Sequence, residues 1–252
     1  MLGLAVDRIT EDETVDAALA GLRAGHGGWI CPANLDVLRQ VTRAPDIGAL
    51  VGQADLVVAD GMPLLWASRV QGAPLPERVA GSSLIRTLPA AAARHGRSVF
   101  LLGGAPGVAD DAAATLCEEL PELRLAGTYC PPEGFERSDR ELATLEEALR
   151  AASPDLVFVA LGFPKQEQLI VRLRALLPGA WFVSVGASLG FVSGTLARAP
   201  RWMQDVGLEW LHRLAHEPRR LARRYLVEGI PFLLRVLARS ARRRLAGTEA
   251  PA

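Results

Sequence analysis

The chain has 252 residues, half of them hydrophobic, and its 28 basic and 28 acidic side chains cancel to a formal net charge of zero. That length buries a full core and that composition excludes a disordered chain. No run approaches the ~18 apolar residues of a spanning helix, and Met1 to Thr10 lacks the basic start and apolar stretch of a secretory leader.

Short apolar runs alternate with longer amphipathic ones. Taken in order with the helices between them, strands are predicted at 28–31, 55–59, 98–103, 123–128, 155–161 and 181–185. Helices are predicted at 11–24, 34–42, 62–70, 82–95, 108–120, 139–152 and 165–177. Asp or Ser opens two of these helices as a cap. The alternation predicts an α/β protein with a parallel sheet and helices on both faces. After Gly194 the strand signal stops and 201–244 reads as helices only, so a boundary is placed near residue 196. Residues 1–196 then form an α/β body, and 197–252 an Arg-rich helical appendage. Three cysteines, Cys31, Cys117 and Cys130, show no metal-type spacing and read as reduced thiols of a cytosolic protein.

Several segments end a strand and open a helix, which is where α/β proteins place ligands. In Cys31-Pro32-Ala33-Asn34, Asn34 caps the next helix, bonds a substrate hydroxyl, or does both. In Ala59-Asp60-Gly61-Met62-Pro63, Asp60 closes an otherwise uncharged strand beside a glycine that permits close approach, a placement that suits a general base. Arg78 precedes a helix start, a usual place to hold an anion. Gly103 and Gly104 form a glycine-rich turn able to receive phosphate or ribose on backbone N–H groups, although no dinucleotide or Walker fingerprint is present. Lys165 is the one lysine beside 27 arginines. A compact ammonium kept where every other cation is a planar fork suggests a ligand-binding role for Lys165 and its neighbour Gln166.

The C-terminal charges are a separate electrostatic object. Between Arg213 and Arg244 lie ten Arg against Glu217 and Glu228. Phe232, Leu233, Leu234, Val236 and Leu237 are interleaved with Arg235 and Arg239, a pattern that suits an interfacial helix on an anionic leaflet. Nucleic acid is the rival partner for such a tail. Few aromatics are interleaved for stacking and the body is acidic, so no nucleic-acid partner is expected. His212, His216 and Glu209 fall on similar faces of one helix without a firm further ligand, and no metal is expected there.

Six of these pieces in one order resemble the WecG/TagA/CpsF family of bacterial glycosyltransferases (glycosyltransferase family 26). They are Ala59–Pro63, Arg78–Ser82, Leu102–Gly104, Leu161–Glu167, Arg198–Pro200, and Glu209–Leu214 with Glu217–Arg220. The resemblance runs from about Leu4 to Tyr225. It implies a Rossmann-like fold and a metal-independent, inverting enzyme with no cofactor, peripheral on the cytoplasmic face of the membrane. Such an enzyme moves a sugar (N-acetylmannosamine, its uronic acid, glucose or similar) from a UDP-sugar donor. The acceptor is an undecaprenyl-diphosphate-linked saccharide in surface-polysaccharide or wall-polymer synthesis. By the same resemblance Asp60 is the base, Asn34, Arg78 and Gln166 line the substrate site, and Arg213, Arg220 and Arg223 close over the diphosphate. Two departures bear on specificity: Pro32 stands where many members have Thr, and Leu189-Gly190 where many have Phe-Asp. The residues alone leave open a nucleotide-cofactor oxidoreductase and a non-catalytic membrane scaffold. They also leave open the oligomeric state, a homo-oligomer included.

Overall fold

The computed structural model describes residues 1–247, with every side chain among them except those of Asp205 and Arg220. One sheet carries six parallel strands: β1 (Gly28–Ala33), β2 (Leu56–Ala59), β3 (Ser98–Gly103), β4 (Arg124–Tyr129), β5 (Leu156–Ala160) and β6 (Trp181–Ser184). Their spatial order is β2-β1-β6-β5-β3-β4. β1, β5 and β6 are buried along their whole length, which explains their unbroken apolar sequences.

Helices cover both faces. On one lie α1 (Glu11–Arg23), α5 (Gly81–Arg94) and α6 (Val108–Glu119) with the short α9 (Ser188–Val192). On the other lie α2 (Leu35–Arg43), α3 (Pro45–Val51), α7 (Asp139–Ala152) and α8 (Lys165–Leu176). α4 (Met62–Gln71) follows β2. Local chemistry sets the starts of these helices. Thr10 and Glu13 form a reciprocal capping box for α1, Asn34 caps α2 and Ser138 caps α7. α3 and α9 were not legible in the sequence. α3 starts at Pro45, which also has a turn reading, and α9 is too short to show a period.

Aspartates seal the amino edge of the sheet. Asp55 accepts from the Trp29 N–H at 2.8 Å, and Asp155 accepts from the Ser98 N–H at 2.7 Å. Asp7 accepts from the Val57 N–H at 2.7 Å. Each satisfies a backbone donor that would otherwise be orphaned. Asp55 and Asp155 therefore stand just before their strands rather than within them.

Chemistry is left to the carboxyl edge. From β1 the chain runs to the sheet margin at β2, and from β2 it crosses to β3 on the far side. The neighbouring strands β1 and β6 are followed by α2 and α9, which lie on opposite faces, and a crevice opens between those strand ends.

The segment after residue 197 crosses this edge. It comprises α10 (Arg201–Asp205), α11 (Glu209–His216), α12 (Pro218–Ala222), a π-helical stretch (Arg223–Gly229) and α13 (Ile230–Leu245). α13 packs along α4, and its Phe232 and Val236 are buried in the core shared with β1 and α2. No helix among the described residues is long and apolar enough to cross a membrane.

Gly103 is fixed by packing. Its φ is +102°, and a Cβ there would stand 2.6 Å from the Ala160 carbonyl oxygen of the adjacent β5. Gly103→Ala is expected to cost about 1–3 kcal/mol of stability in urea unfolding, because strain and clash both fall on backbone. An unchanged midpoint would mean that the β3–β5 contact relaxes freely.

Candidate active site

A cleft of about 650 Å³ lies over the ends of β1, β2 and β6, and the C-terminal segment forms its far wall. Asp60 stands on its floor. Its N–H continues the sheet to the Ala33 carbonyl at 2.9 Å, and Gly61, at φ +126°, turns the chain into α4. Among the described residues no hydrogen bond reaches the Asp60 carboxylate. Burial raises its pKa to about 6 against the lowering pull of Arg78, Arg213 and Arg198, and Glu209 adds to the rise. At neutral pH such a group is ionised, yet more basic than an ordinary carboxylate.

Asn34 and Gln166 reach the same cleft with part of their polar capacity already spent. The Asn34 Oδ1 accepts from the N–H groups of Asp36 and Val37 at 3.0 and 3.2 Å, so the side chain is a cap. Its Nδ2 has no partner among the described residues and is available to a ligand. The Gln166 Oε1 accepts from the Gly162 and Gly186 N–H groups, each at 3.2 Å, and clamps the loops after β5 and β6 together. Its Nε2 donates to Glu167 Oε1 at 2.8 Å.

The cations divide unevenly. Arg78 lines the cleft and pairs with Glu209 at 2.9 Å. Arg213 lines it too, its guanidinium 5.8 Å from the Phe191 ring centre. The Arg223 side chain is 84% exposed and lies against Glu228, whereas the neighbouring Arg224 lines the cleft and bonds Asp36 Oδ2 at 3.1 Å. One residue along a helix turns a side chain by about 100°, so the doublet points one member out and one in. The Arg220 side chain lies outside the described residues, and its backbone belongs to α12.

Three further sequence-predicted residues are not brought to the cleft. Lys165 opens α8 pointing elsewhere, with Nζ 3.1 Å from Glu136 and 5.9 Å from the Phe135 ring centre. Gly103 ends β3 and Gly104 follows it beside β5, where the Gly104 N–H is spent on the Ala160 carbonyl at 2.8 Å.

The cleft roles of three residues, Glu167, Ser184 and Glu209, escaped sequence reasoning. Glu167 reads as a first-turn acid favoured by the helix dipole, but it is buried. Burial lifts its pKa to about 7 against the hydrogen bonds it accepts, and its Oε2 has no partner among the described residues. Ser184, also buried, accepts from the Trp29 indole N–H at 3.0 Å. Glu209 was read beside the histidines and within the resemblance, without a role in the cleft. Helical spacing alone sets Arg224 on one flank with Arg213 and Arg220, whereas the resemblance pointed to Arg223. On the apolar side the wall is Met62, Trp66, Leu208, Ile230 and Leu233. Among the described residues no group of three or more His, Cys, Asp and Glu is arranged to hold a metal ion.

The profile of the family described as "Glycosyl transferase WecG/TagA/CpsF family" matches residues 1–246. Two relatives carry the name N-acetylglucosaminyldiphosphoundecaprenol N-acetyl-beta-D-mannosaminyltransferase. The protein of Bacillus spizizenii (strain W23) is 33% identical over 197 residues, which cover 78% of this chain and 74% of its own. That of Bacillus subtilis (strain 168) is 31% identical, with coverages of 78% and 75%.

Glu167 gives the fold a pH signature. A raised folded-state pKa means that the folded chain keeps a proton which the unfolded chain, near the ordinary carboxylate value of 4.5, has released. Its contribution to stability is therefore fully present below about pH 4.5 and is lost as pH rises toward 7. Asp60, raised from 3.8 to about 6, acts in the same direction. Glu167→Gln keeps an acceptor for Gln166 and cannot ionise. It is expected to be more stable than wild type at pH 7.5 by on the order of 1–3 kcal/mol, with little difference near pH 4.5. Denaturant unfolding at several pH values measures this, and parallel curves for the two proteins would contradict it.

Proposed function

Because the chain belongs to the WecG/TagA/CpsF family of glycosyltransferases, we propose that it transfers a sugar from a UDP-sugar to a polyprenyl-diphosphate-linked N-acetylglucosamine, with Asp60 as the base. The acceptor follows the printed name of the relatives, which also makes N-acetylmannosamine the first sugar to try. The single observation that carries the reading is a carboxylate of raised pKa on the floor of a cleft walled by Arg78, Arg213 and Arg224.

In this mechanism Asp60 takes the proton of an acceptor hydroxyl as that oxygen bonds to the anomeric carbon. The bond from that carbon to the UDP oxygen breaks on the opposite face, so the configuration inverts. Base assistance of this kind is worth about 10²–10⁴ in rate. The leaving diphosphate takes up negative charge, and guanidinium groups are suited to stabilise it through paired N–H donors, without a metal or other cofactor. Asn34 Nδ2 supplies a donor toward a sugar oxygen. Gln166 sets the shape of the two loops beneath the sugar.

The acceptor's lipid asks for a surface, and the C-terminal segment has the features of one. Of nine large hydrophobic side chains exposed among the described residues, only Leu125 lies before residue 202. Trp202, Val206, Leu226, Val227 and Leu234 share this region with Arg219, Arg223, Arg235 and Arg239. Apolar side chains ringed by Arg suit an anionic leaflet, where each cation adds about 1 kcal/mol. In this reading the enzyme is peripheral on the inner face of the cell membrane.

Asp60→Asn is expected to keep UDP affinity within about threefold while turnover falls by about 10²–10⁴. The assay uses a synthetic polyprenyl-diphosphate N-acetylglucosamine and a panel of UDP-sugars, read by mass. Retained turnover would reject Asp60 as the base. Val227→Asp with Leu234→Asp, at side chains 68% and 63% exposed, is expected to weaken sedimentation with anionic vesicles about tenfold or more. The fold should be undisturbed. Undiminished sedimentation would remove this surface from the account.

A further inference from the structure

Arg78 is not free to meet a ligand. Its NH1 is 2.9 Å from Glu209 Oε2, and both side chains are more than four-fifths buried at the cleft wall. Glu209 is the first residue of α11, and Arg213 follows one turn later on the same helix. Arg198, from the loop before α10, lies within electrostatic reach of both Arg78 and Glu209. It donates to Ser82 Oγ at 3.2 Å, and its buried Nε has no partner among the described residues. One carboxylate thus sits among three guanidinium groups beside Asp60. Three cations against the two carboxylates, Glu209 and Asp60, leave one positive charge over.

α11 is lightly held. None of its residues is fully buried, and Gly207, at φ +79°, precedes it against Met62 and Trp66 of α4. The Arg78–Glu209 pair ties this helix to the loop before α5, and Arg213 ties it to Phe191 of α9.

We propose that Glu209 is the resident counter-ion of the cleft, holding Arg78 when the site is empty and exchanging with the diphosphate of the nucleotide when it is filled. This rests on the glycosyltransferase reading of the same site and names a residue that acts on binding and release. An internal anion keeps three cations from tightly holding the product UDP, since the carboxylate returns to Arg78 as the diphosphate departs. The exchange also gives specificity by charge: a ligand without phosphate gains nothing by displacing Glu209.

The exchange has a second consequence at Asp60. That carboxylate faces Arg78 from the loop before α5, Arg198 from the loop before α10, Glu209 and Arg213 from α11, and the Cys31 thiol from β1. Glu209 is the one anion among the groups that shift it. Removing its charge favours the ionised form of Asp60, and the acid limb of kcat/KM moves to lower pH.

The experiment is calorimetric titration of wild type and Glu209→Gln with UDP and with uridine, plus the pH dependence of transfer. The expected result is UDP binding about tenfold tighter in Glu209→Gln, equivalent to about 1.4 kcal/mol. Uridine affinity should be unchanged and the acid limb shifted downward. Glu209→Ala guards against a glutamine that keeps the contact, and thermal melts confirm that each variant is folded. A merely structural Glu209, one that props Arg78 in place, gives the opposite sign: weaker UDP binding in both variants, which overturns the proposal. Unchanged UDP affinity or an unmoved acid limb overturns it as well, while leaving the glycosyltransferase reading intact. If wild type binds no UDP under any condition, that reading fails and the proposal fails with it.

Discussion

The carboxyl edge of the sheet becomes an enclosed site only while the chain after residue 197 stays fastened across it. Two kinds of force fasten it. Phe232 and Val236 of α13 sink into the core, and burying side chains of this size stabilises by about 1.5–3 kcal/mol each. Nearby, Asp36 accepts from Arg39 and Arg224, and Glu228 pairs with Arg39 at 2.9 Å. These side chains are mostly buried, and for such pairs the cost of desolvation cancels much of the Coulombic gain. The apolar contacts therefore supply most of the attachment, and the charges supply its register. They decide which face of the π-helical stretch looks inward, and hence that Arg224 and not Arg223 lines the cleft. The zero net charge of the chain is the sum of a basic tail and an acidic body.

The same segment sets the electrostatics of Asp60. Burial alone would push a carboxylate toward its neutral form, and guanidinium groups alone would make it a weak base. Here burial is the larger effect, offset in part by Arg78, Arg213 and Arg198. The result is a carboxylate that is ionised at neutral pH and keeps appreciable basicity. Glu167, deeper and without a facing cation, goes further toward neutrality. Two acids within one cleft thus differ through surroundings, not chemistry, and only the one open to the cleft is placed to meet a substrate hydroxyl.

Much of this was legible in the residues. Six apolar runs became six parallel strands, and the central ones, β1, β5 and β6, are buried along their whole length. Asp60, Asn34, Arg78, Gln166 and Arg213 meet at one cleft, as strand ends followed by helix starts suggested. Illegible features depended on side-chain direction. Lys165 drew attention by its rarity, yet one position beside Gln166 on a helix is enough to aim it at Glu136 and away from the cleft. The Gly103-Gly104 turn has the composition of a phosphate loop. Gly103 answers to the close approach of β5 and Gly104 to Val108 of α6, demands that sequence cannot distinguish from those of a ligand. Glu167 and Glu209 looked like ordinary first-turn acids, since only tertiary contact buries one and pairs the other with Arg78.

The central claim is that Asp60, in the protonation state set by burial and its arginine neighbours, is the group that drives transfer. The pH dependence of kcat/KM tests it most directly, because that quantity reports the ionisations of the free enzyme. The account predicts that activity falls on the acid side with a midpoint of about 6, the value to which the fold raises this carboxylate. A rate that holds level down to about pH 4.5, as an unperturbed carboxylate would allow, would contradict it.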